Sequence, residues 1–119
     1  MKTFKVVSVY SGYGEMSINS VSNTKGRSID DVCNGIMEDN RNMLIESYEG
    51  KDEWAIAHWY EFYNYKNVNF NEGFASVGNG EEDFYFVFDN TNEWYKEVDE
   101  NDDWSLEMWD KWMEFCNKM

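Results

Sequence analysis

The first twenty positions alternate between apolar and polar side chains. Phe4, Val6 and Ser8 interleave with Lys5, Val7 and Val9, a β-branched run that predicts a strand over residues 3–10. Ser11, Gly12, Tyr13 and Gly14 supply a turn, because the two glycines can take positive φ. Alternation resumes with Met16, Ile18 and Ser20 inward, so a second strand over 14–21 completes a hairpin. Residues 22–27 read as a polar loop.

The period then changes from two to 3.6. Ile29, Val32, Cys33, Ile36, Met37, Met43 and Leu44 share one face, which predicts a helix over 29–46. Ser28 with Asp31 is a capping-box variant, an aspartate standing where Glu or Gln is usual. Gly35 lies on the polar side and Gly50 terminates the segment. Residues 53–65 are ambiguous, since apolar groups surround the wheel and strand alternation leaves both faces apolar. Asp52 as cap, Glu53 in the first turn and the two alanines favour helix, while the aromatic density favours strand. Helix is the preferred reading, and either way surplus aromatic surface is left for a contact face.

Val68, Phe70 and residues 73–77 read as one or two short strands. Gly78, Asn79 and Gly80 signal a hairpin turn into the apolar run 84–88. Asp89, Asn90, Thr91 and Asn92 turn the chain, and residues 93–98 suit a short helical turn. A terminal helix is expected over 103–118. Asp103, Glu107, Asp110 and Glu114 fall in one stripe there, while Trp104, Leu106, Met108, Trp109, Trp112, Met113, Phe115 and Cys116 fill the other side. The expected architecture is a small single α+β domain over 1–119. An antiparallel sheet of about four strands (3–10, 14–21, 73–77 and 83–88) would be covered by the helix at 29–46. Two or three helices are expected, including the amphipathic C-terminal one.

Composition turns this outline toward a partner. The chain has 119 residues, enough to bury a core without disulfide or metal, and its 18% aromatic content argues against disorder. The net charge of −14 disfavours nucleic acid and anionic membrane as partners and favours a basic protein or a cation. Lys2, Lys5, Lys25 and Arg27 face only Glu15 within residues 1–27, so the acid lies downstream. Between residues 81 and 110 Lys96 is the one base among twelve acids. The N-terminal apolar run is too short for a signal peptide and no window is long enough to span a membrane, so a cytoplasmic protein is expected. Cys33 and Cys116 both fall on apolar helix faces and read better as buried thiols than as a disulfide.

Candidate chemistries fare poorly. The glycines at 12 and 14 lack the lysine and following helix of a phosphate loop. His58 is the only histidine, too few for a recognisable triad or zinc site. Asp99, Asn101 and Asp103 have the first spacings of a calcium loop, but Trp104 stands where glycine must turn the chain and Asp110 where glutamate should chelate. No catalytic residue, metal or cofactor is assigned, and an enzyme is not expected.

The remaining candidates are partner-binding: the acids Glu81, Glu82, Asp83, Asp99, Glu100, Asp102, Asp103, Glu107, Asp110 and Glu114, with Trp104 and Trp109 as anchors. The four carboxylates of the terminal stripe would span roughly 16 Å at about 1.5 Å rise per residue, close to the spacing of phosphates along a strand. In size, composition and order of elements the chain resembles the small acidic inhibitors of phages and mobile elements, the antirestriction and anti-CRISPR proteins that mimic DNA. That resemblance implies a protein acting in the host cytoplasm on the nucleic-acid site of a basic defence enzyme. The alternative is an immunity protein that neutralises a basic nuclease toxin.

Overall fold

The computed structural model describes the backbone of residues 1–12 and 15–96, with side chains over 1–10 and 18–96. The expected terminal helix lies outside the described residues. Five strands and two helices follow in the order β1 (Lys2–Gly12), β2 (Glu15–Gly26), α1 (Ile29–Ser47), α2 (Asp52–Phe62), β3 (Lys66–Asn69), β4 (Phe74–Val77) and β5 (Glu82–Phe88). All pairings are antiparallel and the strand order is β2-β1-β5-β4-β3. The α+β expectation therefore holds, with five strands among the described residues where about four were expected; of the one or two short strands expected around Val68 and 73–77 both form, as β3 and β4.

The centre of the sheet is β5. Its alternation sends Phe84, Phe86 and Phe88 to one face, where they join Val7, Val9, Phe74 and Trp94. Ring pairs there lie edge to face, Phe74 on Phe88 at 5.3 Å and Phe84 on Phe86 at 5.2 Å between centroids. Val87 and Tyr85 point the other way, toward Phe4, Val6, Ala75 and Val77 and the apolar stripe of α1, made by Ile29, Val32, Cys33, Ile36 and Met37. A turn after β5 brings Trp94 in. Buried Asn92 donates from Nδ2 to the Glu72 carbonyl at 2.7 Å and accepts the Trp94 N–H at 2.8 Å, so its polar atoms are satisfied as the indole is drawn onto the phenylalanines.

The first helix starts as its sequence requires. Ser28 takes extended backbone, φ −152° and ψ 166°, and its Oγ accepts the Asp31 N–H at 3.1 Å. The Asp31 carboxylate reaches back to the N–H of Arg27 rather than to that of the cap, at 3.1 Å. Inside the helix–sheet interface the one buried polar residue of α1, Asn40, donates to the Ile36 carbonyl at 2.9 Å and accepts the Tyr85 hydroxyl at 3.1 Å.

Three expectations need correction. Residues 22–26 are strand rather than loop, because β1 begins at Lys2 and offers Lys2 through Val6 as partners to Gly26 through Ser22. Strict alternation in β2 fails at Asn19, an extra residue between the pairs Ser8 with Ser20 and Val9 with Ile18. The bulge puts Ile18 and Val21, not Ser20, on the phenylalanine face. In α2 the cap position belongs to Lys51, and Asp52 is the first helical residue. The link from α1 is tight, with the Lys51 N–H bonded to the Tyr48 carbonyl at 2.8 Å, which sets the helix start one residue early.

Cys33 is fully buried and unpaired; burial, reinforced by the charge of Asp30 and opposed by Lys66, pushes its thiol from 9.0 up to about 12. Burial also raises the Tyr63 and Tyr85 phenols. Ionisation of all three is penalised only in the folded state, so their contribution is fully present below the unfolded values and fades as pH rises through the folded ones. The urea midpoint should therefore fall between about pH 9 and pH 12, the window set by Cys33; a flat profile there would contradict the burial. Phe86→Ala should cost about 3–5 kcal/mol in the same assay at neutral pH.

Candidate functional site

Helix α2 has two unlike faces. Its inner face holds buried Ala55 and the half-buried Ile56, His58, Trp59 and Phe62. Trp59 fastens it to α1, its Nε1 donating to the Met37 carbonyl at 2.8 Å, with the Arg41 guanidinium 5.8 Å from the ring centroid. The outer face is formed by Glu53, Trp54, Ala57, Tyr60 and Glu61, all exposed. Trp54 and Tyr60 each show 58% of their surface to solvent. Lys51 places its ammonium 4.5 Å from the Trp54 centroid, and Tyr60 meets Trp59 edge-on at 4.9 Å. Glu53 and Glu61 are eight residues apart, about 12 Å along the axis and about 80° apart around it, within one face of the helix. Glu46, Glu49 and Asp52, exposed around the α1–α2 link, extend the acidic surface toward the start of α2.

The loop between β4 and β5 is fastened to the C-terminal end of this helix. The Asn79 N–H bonds the Phe62 carbonyl at 3.1 Å, and its side-chain amide bonds the Glu61 carbonyl at 2.8 Å. Gly78 donates its N–H to the Tyr65 carbonyl at 2.9 Å. Asn79 thereby satisfies two of the carbonyls that a helix end leaves open. Its Oδ1 also accepts the Glu81 N–H at 3.0 Å, which sets the course of the acidic run Glu81, Glu82 and Asp83.

Glu82 takes φ 53°, the one left-handed non-glycine among the described residues. That conformation costs roughly 1–2 kcal/mol in an L-residue. It accompanies a carboxylate turned onto α2, with Oε2 2.9 Å from His58 Nε2 and accepting the Tyr63 hydroxyl at 3.3 Å. His58 is boxed by aromatic rings, with Phe62 at 4.6 Å, Tyr48 at 6.1 Å and Tyr63 at 6.2 Å between centroids. Tyr63 keeps its proton: burial foremost, then the charges of Asp83 and Glu82 and the hydrogen bond to Glu82, push the phenol upward. Asp83 accepts from Asn19 Nδ2 at 3.1 Å, so the bulge residue of β2 reaches the start of β5.

Of the partner-binding residues expected from sequence, Glu81 is exposed, while Glu82 and Asp83 are half-buried and engaged within the chain. Asp99, Glu100, Asp102, Asp103, Trp104, Glu107, Trp109, Asp110 and Glu114 lie outside the described residues. The sequence predicts a surplus of aromatic surface over 53–65 for a contact face, but not which residues of α2 display it. The i, i+4, i+8 spacing of Glu53, Ala57 and Glu61, an arc of about 80° with Trp54 and Tyr60 at its margins, is the signal that could have found them.

Among the described residues no three His, Cys, Asp or Glu side chains converge as a metal site would require, and no helix is long and apolar enough to cross a membrane. No family model, curated protein or solved structure matches the chain.

The His58–Glu82 pair is partly solvated, with 25% and 42% of the side chains exposed, so its contribution is small. Glu82→Ala should lower stability by at most about 1 kcal/mol by chemical denaturation, and Glu81→Ala by less than about 0.5 kcal/mol.

Proposed function

We propose that the protein is an acidic inhibitor that occupies the nucleic-acid site of a basic enzyme, as a DNA-mimicking antirestriction or anti-CRISPR protein would. One observation carries this reading: two large aromatic rings, Trp54 and Tyr60, stand in solvent beside Glu53 and Glu61 on a single helix face of a chain with net charge −14. Aromatic rings held in water by the fold beside carboxylates fit an interface better than a solubility coat. The rings would serve as anchors and the carboxylates as surrogate phosphates opposite Lys and Arg.

The test begins with capture of a target from a bacterial lysate, followed by competition between protein and duplex DNA for the purified target. Mutually exclusive binding is expected, and so is an affinity that falls steeply between about 50 and 300 mM salt as surrogate phosphates are screened. Glu53→Lys with Glu61→Lys should weaken binding by more than about tenfold while leaving the melting temperature within a few degrees, since both positions face water. Simultaneous binding of DNA and protein, or salt-insensitive affinity, would refute the reading.

A further inference from the structure

The sheet has two unequal edges. β3 is four residues long, whereas β2 is twelve, and β1 alone pairs with it among the described residues. A long edge strand presents a row of unpaired N–H and C=O groups, and folds usually blunt it with proline, charge or a bulge. β2 has its bulge at Asn19, which divides it. On the far side, residues 20–26 pair with β1 in unbroken register, contain no proline and carry one charge, Lys25. Ser20, Ser22, Asn23 and Lys25 are exposed, and among the described residues no side-chain hydrogen bond ties them down.

The charge around this half of the edge is the reverse of the rest of the molecule. Lys25 lies opposite Thr3, Lys2 opposite Gly26 and Lys5 opposite Asn23, and Arg27 follows the strand directly. Of the acids at the start of α1, Asp31 accepts the Arg27 backbone N–H and Asp30 pairs with Lys66 at 2.7 Å.

We infer that residues 20–26 of β2 accept an extended, acidic segment of another protein as a sixth strand, its backbone completing the ladder and its carboxylates meeting Lys25 and Arg27. Backbone bonding gives such strand addition its affinity and alternate side chains its specificity. A second copy of the chain is the poorer occupant, because each copy brings a net charge of −14 and the same cations to the joint. This edge is separate from the outer face of α2, so the inference stands or falls independently of the inhibitory role.

The probe is a dye-labelled heptapeptide alternating valine and glutamate, set against a twin with lysine for glutamate. Anisotropy is read on the full chain, and exchange of the amides of 20–26 is followed by NMR. The glutamate peptide should bind at least about tenfold tighter than its twin and slow exchange at those amides. Lys25→Glu with Arg27→Glu, both exposed positions, should reverse the preference without a change in melting. Equal affinity for the two peptides, no binding, or exchange slowed elsewhere would overturn the inference. So would a free protein that sediments as a dimer with these amides already protected.

Discussion

A central strand that is apolar on both faces dictates how everything else is arranged. β5 turns Phe84, Phe86 and Phe88 to one side and Val87 and Tyr85 to the other, and its neighbours β1 and β4 are buried with it. Neither face can be left to water, since each buried phenylalanine is worth roughly 1.5–3 kcal/mol of transfer free energy. The stripe of α1 closes one side. On the other, Asn92 draws Trp94 in beside Ile18, Val21 and Tyr95 by satisfying its own polar atoms on the Glu72 carbonyl and the Trp94 amide. With α1 in place, α2 packs against it through Trp59 and presents its remaining side outward. The exposed aromatics are thus a consequence of layering: the second helix shares its neighbour's cover but has a wider apolar girdle than that contact can absorb.

Much of this was legible. The switch from period two to period 3.6 located β1, the start of β2 and the whole of α1, and Ser28 with Asp31 marked the helix start because cap chemistry is local. The apolar run at 84–88, aromatic-rich and bounded by turn residues, reads as the clearest strand of the second half. What escaped depends on partners distant in sequence. Residues 22–26 look like loop until β1 supplies a ladder for them, and four-residue β3 is too short a pattern to be told apart from the run at 73–77 as a strand of its own. Asn19 looks like one more alternating residue, yet the bulge there reverses which side chains face the core. Nor does the run at 81–83 disclose which carboxylate turns inward. Glu82 does so through a left-handed backbone that a sequence pattern does not encode.

Charge is sorted as sharply as hydrophobicity. Cations gather where β1 begins and β2 ends, while acids line the α1–α2 link, the outer face of α2 and the loop that Asn79 binds to it. Holding like charges together costs stability, and two of the carboxylates are stabilised locally, Glu82 by His58 and Tyr63 and Asp83 by Asn19. Glu53, Glu61 and Glu81 are exposed beside Trp54 and Tyr60. Aromatic rings among displayed carboxylates suit a cationic surface in two ways, by ion pairing and by stacking of guanidinium groups on the rings.

The claim that this face is the contact surface is tested most directly by hydroxyl-radical footprinting of the protein free and bound to its captured target. Trp54 and Tyr60 should oxidise readily in the free protein and become protected in the complex, while Phe70, 71% exposed in the turn between β3 and β4, keeps its reactivity as a reference. Unchanged oxidation of Trp54 and Tyr60 in a saturated complex would contradict the account.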